Sequence, residues 1–446
     1  MAFPRVIKFG FAVRALRHRN YALFFAGQMV SLVGSWLSVT ATSWLVLQMA
    51  RSGGNTHVER LLGYVAFASQ LPVFLLAPVG GVLVERWDRR KVLLFTQTAS
   101  MLQSFAMAAL ILCDVITMAE VVVLAVLQGM VNAIDIPARQ ALVVQMVEDP
   151  ADLSNAIALN SSMVQSARMF GPAAAGFLIY YVGEGICFLL DGFSFLAVLA
   201  SIALMRLAAR PLAPRKGSFL SSLREGLAYA SGYPPIRALL LLVATISLMA
   251  MSMSVLMPIY ATEVLGGSER TLGLLLGASG LGALLGCIYL AARRSVVGLG
   301  RVIALGPTIL GAVLAAFAFS TNRELSALLV LIAGTAMLVT VASANTVLQT
   351  IVEDDKRARV MSLFTMAFMG MAPFGSLMAG YVADMIGVQY TLLIAGVVCT
   401  LSGAVFASQL RAIRPLLRTV YQSKGILRPI AAGVEAAAVQ AEAARD

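Results

Sequence analysis

Long apolar runs follow one another along the chain, and short charged or glycine- and proline-rich segments separate them. Crossing a hydrocarbon layer ~30 Å thick takes a helix of about 20 apolar residues. The runs therefore predict an all-α membrane protein with twelve transmembrane helices in two sets of six. The predicted helices lie near residues 21–49, 61–84, 92–113, 119–141, 154–181, 186–206, 236–263, 271–292, 301–320, 325–349, 359–384 and 388–410.

A basic, proline-containing segment separates the two sets of helices. The predicted parts are a cytoplasmic N-terminal segment, a first bundle, a linker, a second bundle and a cytoplasmic tail, at residues 1–20, 21–206, 207–235, 236–410 and 411–446. Within the linker, residues 218–231 place apolar Phe219, Leu220, Leu223 and Leu227 on one side of a helix. This pattern predicts a short helix lying on the membrane surface.

Small residues of helices 5 and 6 recur in helices 11 and 12 at one offset. Gly375 follows Gly171 by 204 positions, and the same offset relates four further pairs. These pairs are Ala175 and Ala379, Gly176 and Gly380, Gly183 and Gly387, and Gly192 and Gly396. Small residues allow close helix contacts in membranes generally, but five at one offset indicate duplication of a six-helix half.

Composition supports the membrane class. The sequence is 59% hydrophobic and 12% charged, with a mean hydropathy of +0.86, whereas about a quarter of the residues in soluble domains are charged. The net charge of +11 does not indicate nucleic-acid binding, because the basic residues collect in alternate loops. By the positive-inside rule, this pattern places both termini in the cytoplasm. The first run, residues 21–50, is too long for a secretion signal.

The sequence lacks the patterns of common catalytic, nucleotide and metal sites. It contains no Gly-x-x-x-x-Gly-Lys-Ser/Thr, His-Glu-x-x-His or Gly-x-Ser-x-Gly pattern. Its two histidines, His18 and His57, fall in predicted loops or flanks, and its four cysteines are isolated from one another. We therefore expect no enzyme activity, no cofactor and no metal. Without an ATP site, an ion gradient is the remaining energy source for transport.

The turn between helices 2 and 3 resembles a signature of the major facilitator superfamily. That signature is a glycine, an apolar pair, an acidic residue and clustered basic residues, matched here by Gly81, Leu83, Arg86, Arg89, Arg90 and Lys91. Two positions depart from it: Glu85 stands where the family has aspartate, and Asp88 where it often has glycine. Asp88 with the two arginines after it, and residues 16–28, resemble the exporter branch that contains the enterobactin exporter and macrolide efflux proteins.

The resemblance implies a fold and a mechanism. The fold is the major facilitator fold, with two pseudo-symmetric six-helix bundles and a substrate site between them near the membrane midplane. Helices 1, 4, 7 and 10 line the central cavity in this superfamily. The resemblance also implies a monomer in the bacterial inner membrane.

Polar residues at helical spacing occur in the same four helices. The candidates for the cavity lining are Gln28, Ser31, Ser35, Ser38 and Thr42 in helix 1, Gln128 and Asn132 in helix 4, Ser247, Met251 and Ser254 in helix 7, and Thr335, Asn345 and Gln349 in helix 10. Spacings of three and four place such residues on one face of a helix. Small polar residues also pack helices together or bond a neighbouring backbone, so both interpretations stay open.

Four charged residues lie at membrane depth: Asp135, Arg139, Arg168 and Asp191. Each costs ~2.5–3.5 kcal/mol on insertion scales unless it is paired or hydrated. One hypothesis is that Asp135 or Asp191 gains and loses a proton during transport, while Arg168 influences that carboxyl group or contacts an anionic substrate. Asp135 is preferred because it lies on the polar stripe of helix 4. The alternative is a structural ion-pair or water-bridged network.

The basic turn also predicts a cytoplasmic gate. Its members would be Gly81, Glu85, Arg86, Asp88, Arg89, Arg90 and Lys91, together with Arg357 and Arg359 at the start of helix 11. A carboxylate at Glu85 can meet the positive N-terminal end of helix 11 and its arginines, which would hold the two halves together on the inside. The alternative is that these basic residues only set the topology.

These expectations predict secondary export of an amphipathic small molecule, such as a drug, macrolide or siderophore, in exchange for protons. The partners would be the substrate, protons and the lipid bilayer. A lipid or lysophospholipid flippase of the same fold is the alternative. A membrane-embedded enzyme is a less favoured one.

Overall fold

The computed structural model describes residues 14–149, 152–206, 219–293 and 295–423. The first half contains six long helices, α1–α6, at Arg19–Ser52, Val58–Arg86, Arg89–Leu112, Met118–Met146, Leu153–Val182 and Glu184–Leu204. The second half contains α7–α10 at Pro234–Ile259, Glu269–Ala292, Leu299–Ala318 and Arg323–Ile351. Its α11 has two parts, Asp354–Met369 and Ala372–Ile386, and α12 is Val388–Ser423. A linker helix at Phe219–Gly232 lies between the halves, where the sequence predicts one.

The helices are long enough to span a membrane. Ten segments in the described part of the chain qualify on length and apolar composition, and α2 and α5 complete the twelve with 29 and 30 residues. No β-strand occurs in the described ranges. The prediction of an all-α protein with two sets of six helices is confirmed.

The two halves pack in the same order. In the first half α1 packs on α5 and α6, α2 on α4, and α3 on α4 and α6; in the second, α7 packs on α11 and α12, α8 on α10, and α9 on α10 and α12. Residues of the sequence repeat hold equivalent positions. Gly183 ends α5 with a φ of 81° and Gly387 ends α11 with a φ of 87°, a conformation that glycine adopts without steric cost.

α12 extends further than the sequence predicts. It continues from Val388 to Ser423, so the predicted boundary at residue 410 falls inside a helix. Ile413, Leu417 and Tyr421 are buried along one face, at 4%, 8% and 6% exposure. Because they recur every fourth residue, they keep the extension packed although the basic residues between them stay exposed.

α11 is interrupted at Gly370 and Met371. Pro373 lies in the first turn of the second part, where it lacks the backbone N–H that a continuous helix would bond to the Met369 carbonyl group. The Phe368 carbonyl group accepts a hydrogen bond from the Ser247 hydroxyl group of α7. Ser247 therefore joins α7 to the interrupted helix and is 1% exposed, so it does not line a cavity.

Candidate functional site

The two halves contact each other at one end of the bundle. We call it the closed end; it contains the α1–α2, α7–α8 and α11–α12 turns. The opposite end, called the linker end, contains the start of α1 and the linker helix. Pairs of helices from different halves, α2 with α11 and α5 with α8, form the main contacts.

Glycines bring the two halves together at the closed end. A Cβ atom on Gly63 of α2 would lie 3.0 Å from the Cα atom of Gly380 in α11. A Cβ atom on Gly176 of α5 would lie 2.8 Å from the Cα atom of Gly273 in α8. Both distances are shorter than ordinary Cβ contacts, so a side chain at either crossing would push the helices apart, and glycine allows the close approach.

The two crossings share a sequence as well as a geometry. Gly63 ends the segment Glu-Arg-Leu-Leu-Gly and Gly273 ends Glu-Arg-Thr-Leu-Gly, 210 positions later. Their arginines differ in what they contact. Arg60 forms an ion pair with Asp384 at 2.5 Å, whereas the Arg270 guanidinium lies 3.7 Å from the centre of the Tyr180 ring. Asp384 and Tyr180 are 204 positions apart, so they are equivalent in the repeat.

Further contacts reinforce the closed end. His57 Nδ1 lies 2.6 Å from Asp384 Oδ1, and Arg51 forms an ion pair with Glu263 at 3.0 Å. Each of these pairs joins the first half to the second. Opening this end would require all of them to separate.

The predicted gate residues at the linker end contact their own half. Asp88 caps α3 by accepting a hydrogen bond from the Arg90 backbone N–H at 2.9 Å. Arg89 donates to the Ala141 carbonyl group and Arg90 to the Ala203 carbonyl group, at 3.3 and 2.7 Å. Lys91 is exposed. In these described contacts, the turn is tied to α4 and α6 and not to the second half.

The other half of the predicted gate contacts the linker. Arg359 of α11, the same helix as Arg357, forms an ion pair with Glu225 of the linker helix at 3.0 Å. The side chains of Glu85 and Arg86 and the surroundings of Gly81 lie outside the described residues, so the predicted contact of Glu85 with α11 stays a prediction.

Asp135 is enclosed by α3 and does not face a cavity. It is 2% exposed. Its Oδ1 atom accepts hydrogen bonds from Thr96 Oγ1 at 2.8 Å and Gln97 Nε2 at 2.7 Å, and its Oδ2 atom pairs with Arg139. Helix spacing places Asp135 on the polar stripe of α4, and in this structure α3 covers that face at this depth, so Asp135 as the proton carrier stays a prediction.

Asp191 is equally buried but has no cation beside it. It is 3% exposed, and its Oδ2 atom accepts from Ser38 Oγ at 2.7 Å and Ser104 Oγ at 2.6 Å. Its Oδ1 atom is buried without a hydrogen-bond partner, and no ion pair joins it to a described residue. A buried carboxylate without a counter-charge is costly, which sets Asp191 apart from Asp135.

The remaining candidates for the cavity divide into two groups. Gln28 and Ser31 are 2% and 1% exposed, and Thr335 donates to the Gly282 carbonyl group of α8 at 2.8 Å, so these three residues pack helices together. The other candidates are at least partly accessible: Ser35, Ser38, Thr42, Gln128, Asn132, Met251, Ser254, Asn345 and Gln349. Gln128 donates to Ser100 of α3 at 3.1 Å.

Arg168 lies on α5 with its guanidinium group 5.6 Å from the centre of the Trp36 ring of α1. The described contacts do not bring it to Asp135 or Asp191. The four charged residues at membrane depth thus form one ion pair and two separate sites.

A protein-family model matches nearly the whole chain. The model for transmembrane secretion effectors matches residues 11–419, which covers most of the chain. The chain belongs to this family. A secretion effector of the major facilitator superfamily is a multi-pass membrane transporter and not an enzyme.

The alignments with curated relatives span most of this chain and nearly the whole length of each relative. A staphyloferrin A transporter of Staphylococcus aureus is 23% identical over 382 residues, which are 84% of this chain and 92% of the relative. The multidrug efflux pump Tap of Mycolicibacterium fortuitum is 27% identical over 392 residues, which are 85% and 93% of the two chains.

Solved structures agree on the fold. A bacterial homologue of the human lysosomal transporter Spinster, in an inward-facing and occupied conformation, superposes with a TM-score of 0.66 at 14% identity and covers 88% of this chain and 97% of its own. A nucleoside transporter gives a TM-score of 0.63 at 14% identity, covering 87% and 99%.

The sequence analysis missed a polar stripe of the secretion effector on α3. Thr96, Gln97, Ser100 and Ser104 follow one another at spacings of one, three and four, and all four are buried. They bond to Asp135, Gln128 and Asp191. The same spacing argument that was applied to helices 1, 4, 7 and 10 would have found them in helix 3.

Proposed function

We propose that this secretion effector exports an amphipathic small molecule by alternating access, in exchange for protons. The observation that supports alternating access best is the closed end, where two glycine crossings related by the internal repeat seal the halves together. Toward the linker end, the described gate residues contact their own half. If the basic loops lie in the cytoplasm, this conformation is open to the cytoplasm.

The contacts at the closed end suit a seal that must break in every cycle. The exposed Arg51–Glu263 pair contributes ~0–1 kcal/mol, and an arginine over an aromatic ring contributes ~0.5–1 kcal/mol at exposed sites. A few such contacts favour one conformation without trapping it. The relatives' printed activities, siderophore transport and multidrug efflux, support a small molecule of the drug or siderophore type as the substrate. We expect a monomer in the inner membrane.

Asp191 is the better candidate for the proton carrier. Asp135 is engaged by three contacts, from Thr96, Gln97 and Arg139, so protonating it would leave a partly buried arginine unpaired. Asp191 has hydroxyl partners on α1 and α3, with the Ser35 and Ser194 hydroxyl groups close by, and no ion pair engages its Oδ1 atom. A proton on Oδ1 would neutralise the group without breaking an ion pair.

Proton movement in inverted vesicles tests this proposal. Vesicles with an acid interior are challenged with a panel of drugs, dyes and siderophores, and discharge of the gradient is followed. We expect at least one class of compound to discharge it in the wild type but not in Asp191→Asn. Asp114→Asn, the same change in an exposed turn, serves as the control.

Either result is informative. Normal discharge by Asp191→Asn would remove this carboxyl group from the coupling. If no compound discharges the wild-type gradient, antiport is excluded for that panel, and flipping of a fluorescent lysophospholipid becomes the next assay.

A further inference from the structure

Arg168 is a cation at membrane depth whose described contact is an aromatic ring and not a carboxylate. It lies over Trp36 and forms no ion pair with any described residue. Charged groups at this depth are retained mainly where a ligand or a pathway uses them. We propose that Arg168 and Trp36 form an anion-binding subsite of the transport cavity, so that the exported molecule has a carboxylate or similar anionic group beside an apolar part. This names the substrate class of the proposed exporter and rests on that function.

The backbone of α5 fixes the position of this pair. Gly171 lies one turn beyond Arg168, and a Cβ atom there would lie 3.3 Å from the Cα atom of Trp36. The close approach of α1 and α5 at Gly171 therefore holds the indole ring against the guanidinium group. A ring contact of this kind occupies none of the guanidinium N–H groups, so they are left for a ligand.

Arg168 lies where the sealed part of the bundle begins. On the closed-end side, a Cβ atom on Gly280 of α8 would lie 2.6 Å from the Cα atom of Met169, so the two helices touch. On the linker-end side, Ser161 is exposed and shares a helix face with Gln165 and Arg168, at spacings of four and three. Gln165 Oε1 is buried without a hydrogen-bond partner among the described residues. This polar stripe leads from the linker end to Arg168.

The chemistry of the pair selects a planar anion. The guanidinium fork matches a carboxylate with two parallel hydrogen bonds, which an ammonium group cannot reproduce. The indole ring provides an apolar surface next to the charge. Gln165 Oε1 can accept a hydrogen bond from a donor on the same ligand.

Equilibrium binding of a matched pair of probes tests the subsite. Dansylglycine and dansylglycinamide differ only in their carboxylate or carboxamide group, and their fluorescence is measured on binding to the purified full-length chain. We expect the wild type to bind the carboxylate about tenfold more tightly or better, since charge-assisted hydrogen bonds are the strong class. Arg168→Gln should abolish this preference, and Arg168→Lys should retain only part of it.

Energy transfer from tryptophan to the dansyl group locates the probe. Trp44 lies eight residues from Trp36 on α1, ~12 Å along the helix, so both comparisons are made in a Trp44→Phe background. In that background Trp36→Phe should remove most of the transfer, whereas Trp87→Phe, the same change at an exposed residue, should leave it. Arg237→Gln removes a positive charge from an exposed position on α7 and should keep the preference.

Three results would overturn the proposal: equal binding of the two probes to the wild type, a preference that survives Arg168→Gln, or no saturable binding of dansylglycine. Binding is measured without a gradient, so it is independent of the proton assay. Proton-coupled export without a carboxylate preference would leave the proposed function standing and remove the subsite. A carboxylate preference that depends on Arg168, without coupled export, would do the reverse.

Discussion

At the glycine crossing between α5 and α8, one added methyl group should shift the equilibrium between the sealed and the open conformation of the closed end. In Gly176→Ala, the new Cβ atom would lie 2.8 Å from the Gly273 Cα atom and 2.5 Å from the Glu269 carbonyl oxygen. Ordinary contacts of this kind start near 3.4 Å, so the helices must move apart by roughly half an ångström to one ångström. Overpacking of this kind typically costs ~1–3 kcal/mol.

That cost applies only while the closed end is sealed. In a conformation in which α5 and α8 have separated there, the methyl group meets no neighbour. The ratio of open to sealed molecules should therefore rise by about 5- to 150-fold, the factor that corresponds to ~1–3 kcal/mol. Gly63→Ala, at the equivalent crossing of α2 with α11, should act in the same direction.

Distances between spin labels measure this shift. Val115 and Glu324 are exposed at the closed end in the α3–α4 turn and at the start of α10, so cysteines at these positions report the separation of the halves. Cys113, which is exposed, is replaced by serine in this background. We expect Gly176→Ala to increase the population with the longer distance.

The control is Gly232→Ala, because nothing lies within 4 Å of a Cβ atom at that position of the linker helix. It should leave the distance distribution unchanged. An unchanged distribution in both Gly176→Ala and Gly63→Ala would show that the crossings do not seal the closed end, and the reasoning would be refuted.

Two further predictions concern the closed end and α12. Asp384→Asn removes the partner of both Arg60 and His57 and should favour the conformation with the longer distance by ~1–3 kcal/mol. The effect should be smaller at 1 M salt, because the Debye length falls to ~3 Å. Tyr180→Leu should have a smaller effect that depends less on salt, and equal salt dependence of the two variants would contradict this. Leu417→Ala should lower the stability of the purified protein by ~2–4 kcal/mol in thermal unfolding. Leu416→Ala should not, because Leu416 is 40% exposed and Leu417 only 8%. Equal losses of stability in the two variants would mean that the α12 extension is not packed.

The fold was predictable because its signals are local. Apolar length identifies a spanning helix without knowledge of its neighbours, and glycines at a constant offset identify the duplication. The end of α12 was not predictable in this way, because Arg411, Arg414 and Arg418 interrupt the apolar run. The buried positions between them become visible only once helix spacing is followed past residue 410.

The site was predictable only in part, because periodicity identifies a face without saying what covers it. Asp135 lies on a polar face of α4, but that face is turned toward Thr96 and Gln97 of α3. Asp191 was identified by its charge alone, and its serine partners come from α1 and α3, which are distant in sequence. The repeat of Glu-Arg-x-Leu-Gly was missed because its offset of 210 differs from the 204 of the first repeat. The difference arises mainly because α9 has 20 residues where α3 has 24.

The duplication has conserved the geometry of the closed end and not its chemistry. Both crossings bring two glycines together and place an arginine one turn before the crossing, yet Arg60 contacts a carboxylate and Arg270 two tyrosine rings. An ion pair joins two charges and responds to salt and to the ionisation of both partners, whereas an arginine over a neutral aromatic ring carries the only charge of the contact and responds less. We therefore expect the α2–α11 side of the closed end to be more sensitive to salt than the α5–α8 side. Because Arg168 lies on α5, where the contact with α8 begins, a ligand bound there would lie next to the side of the closed end that salt weakens less.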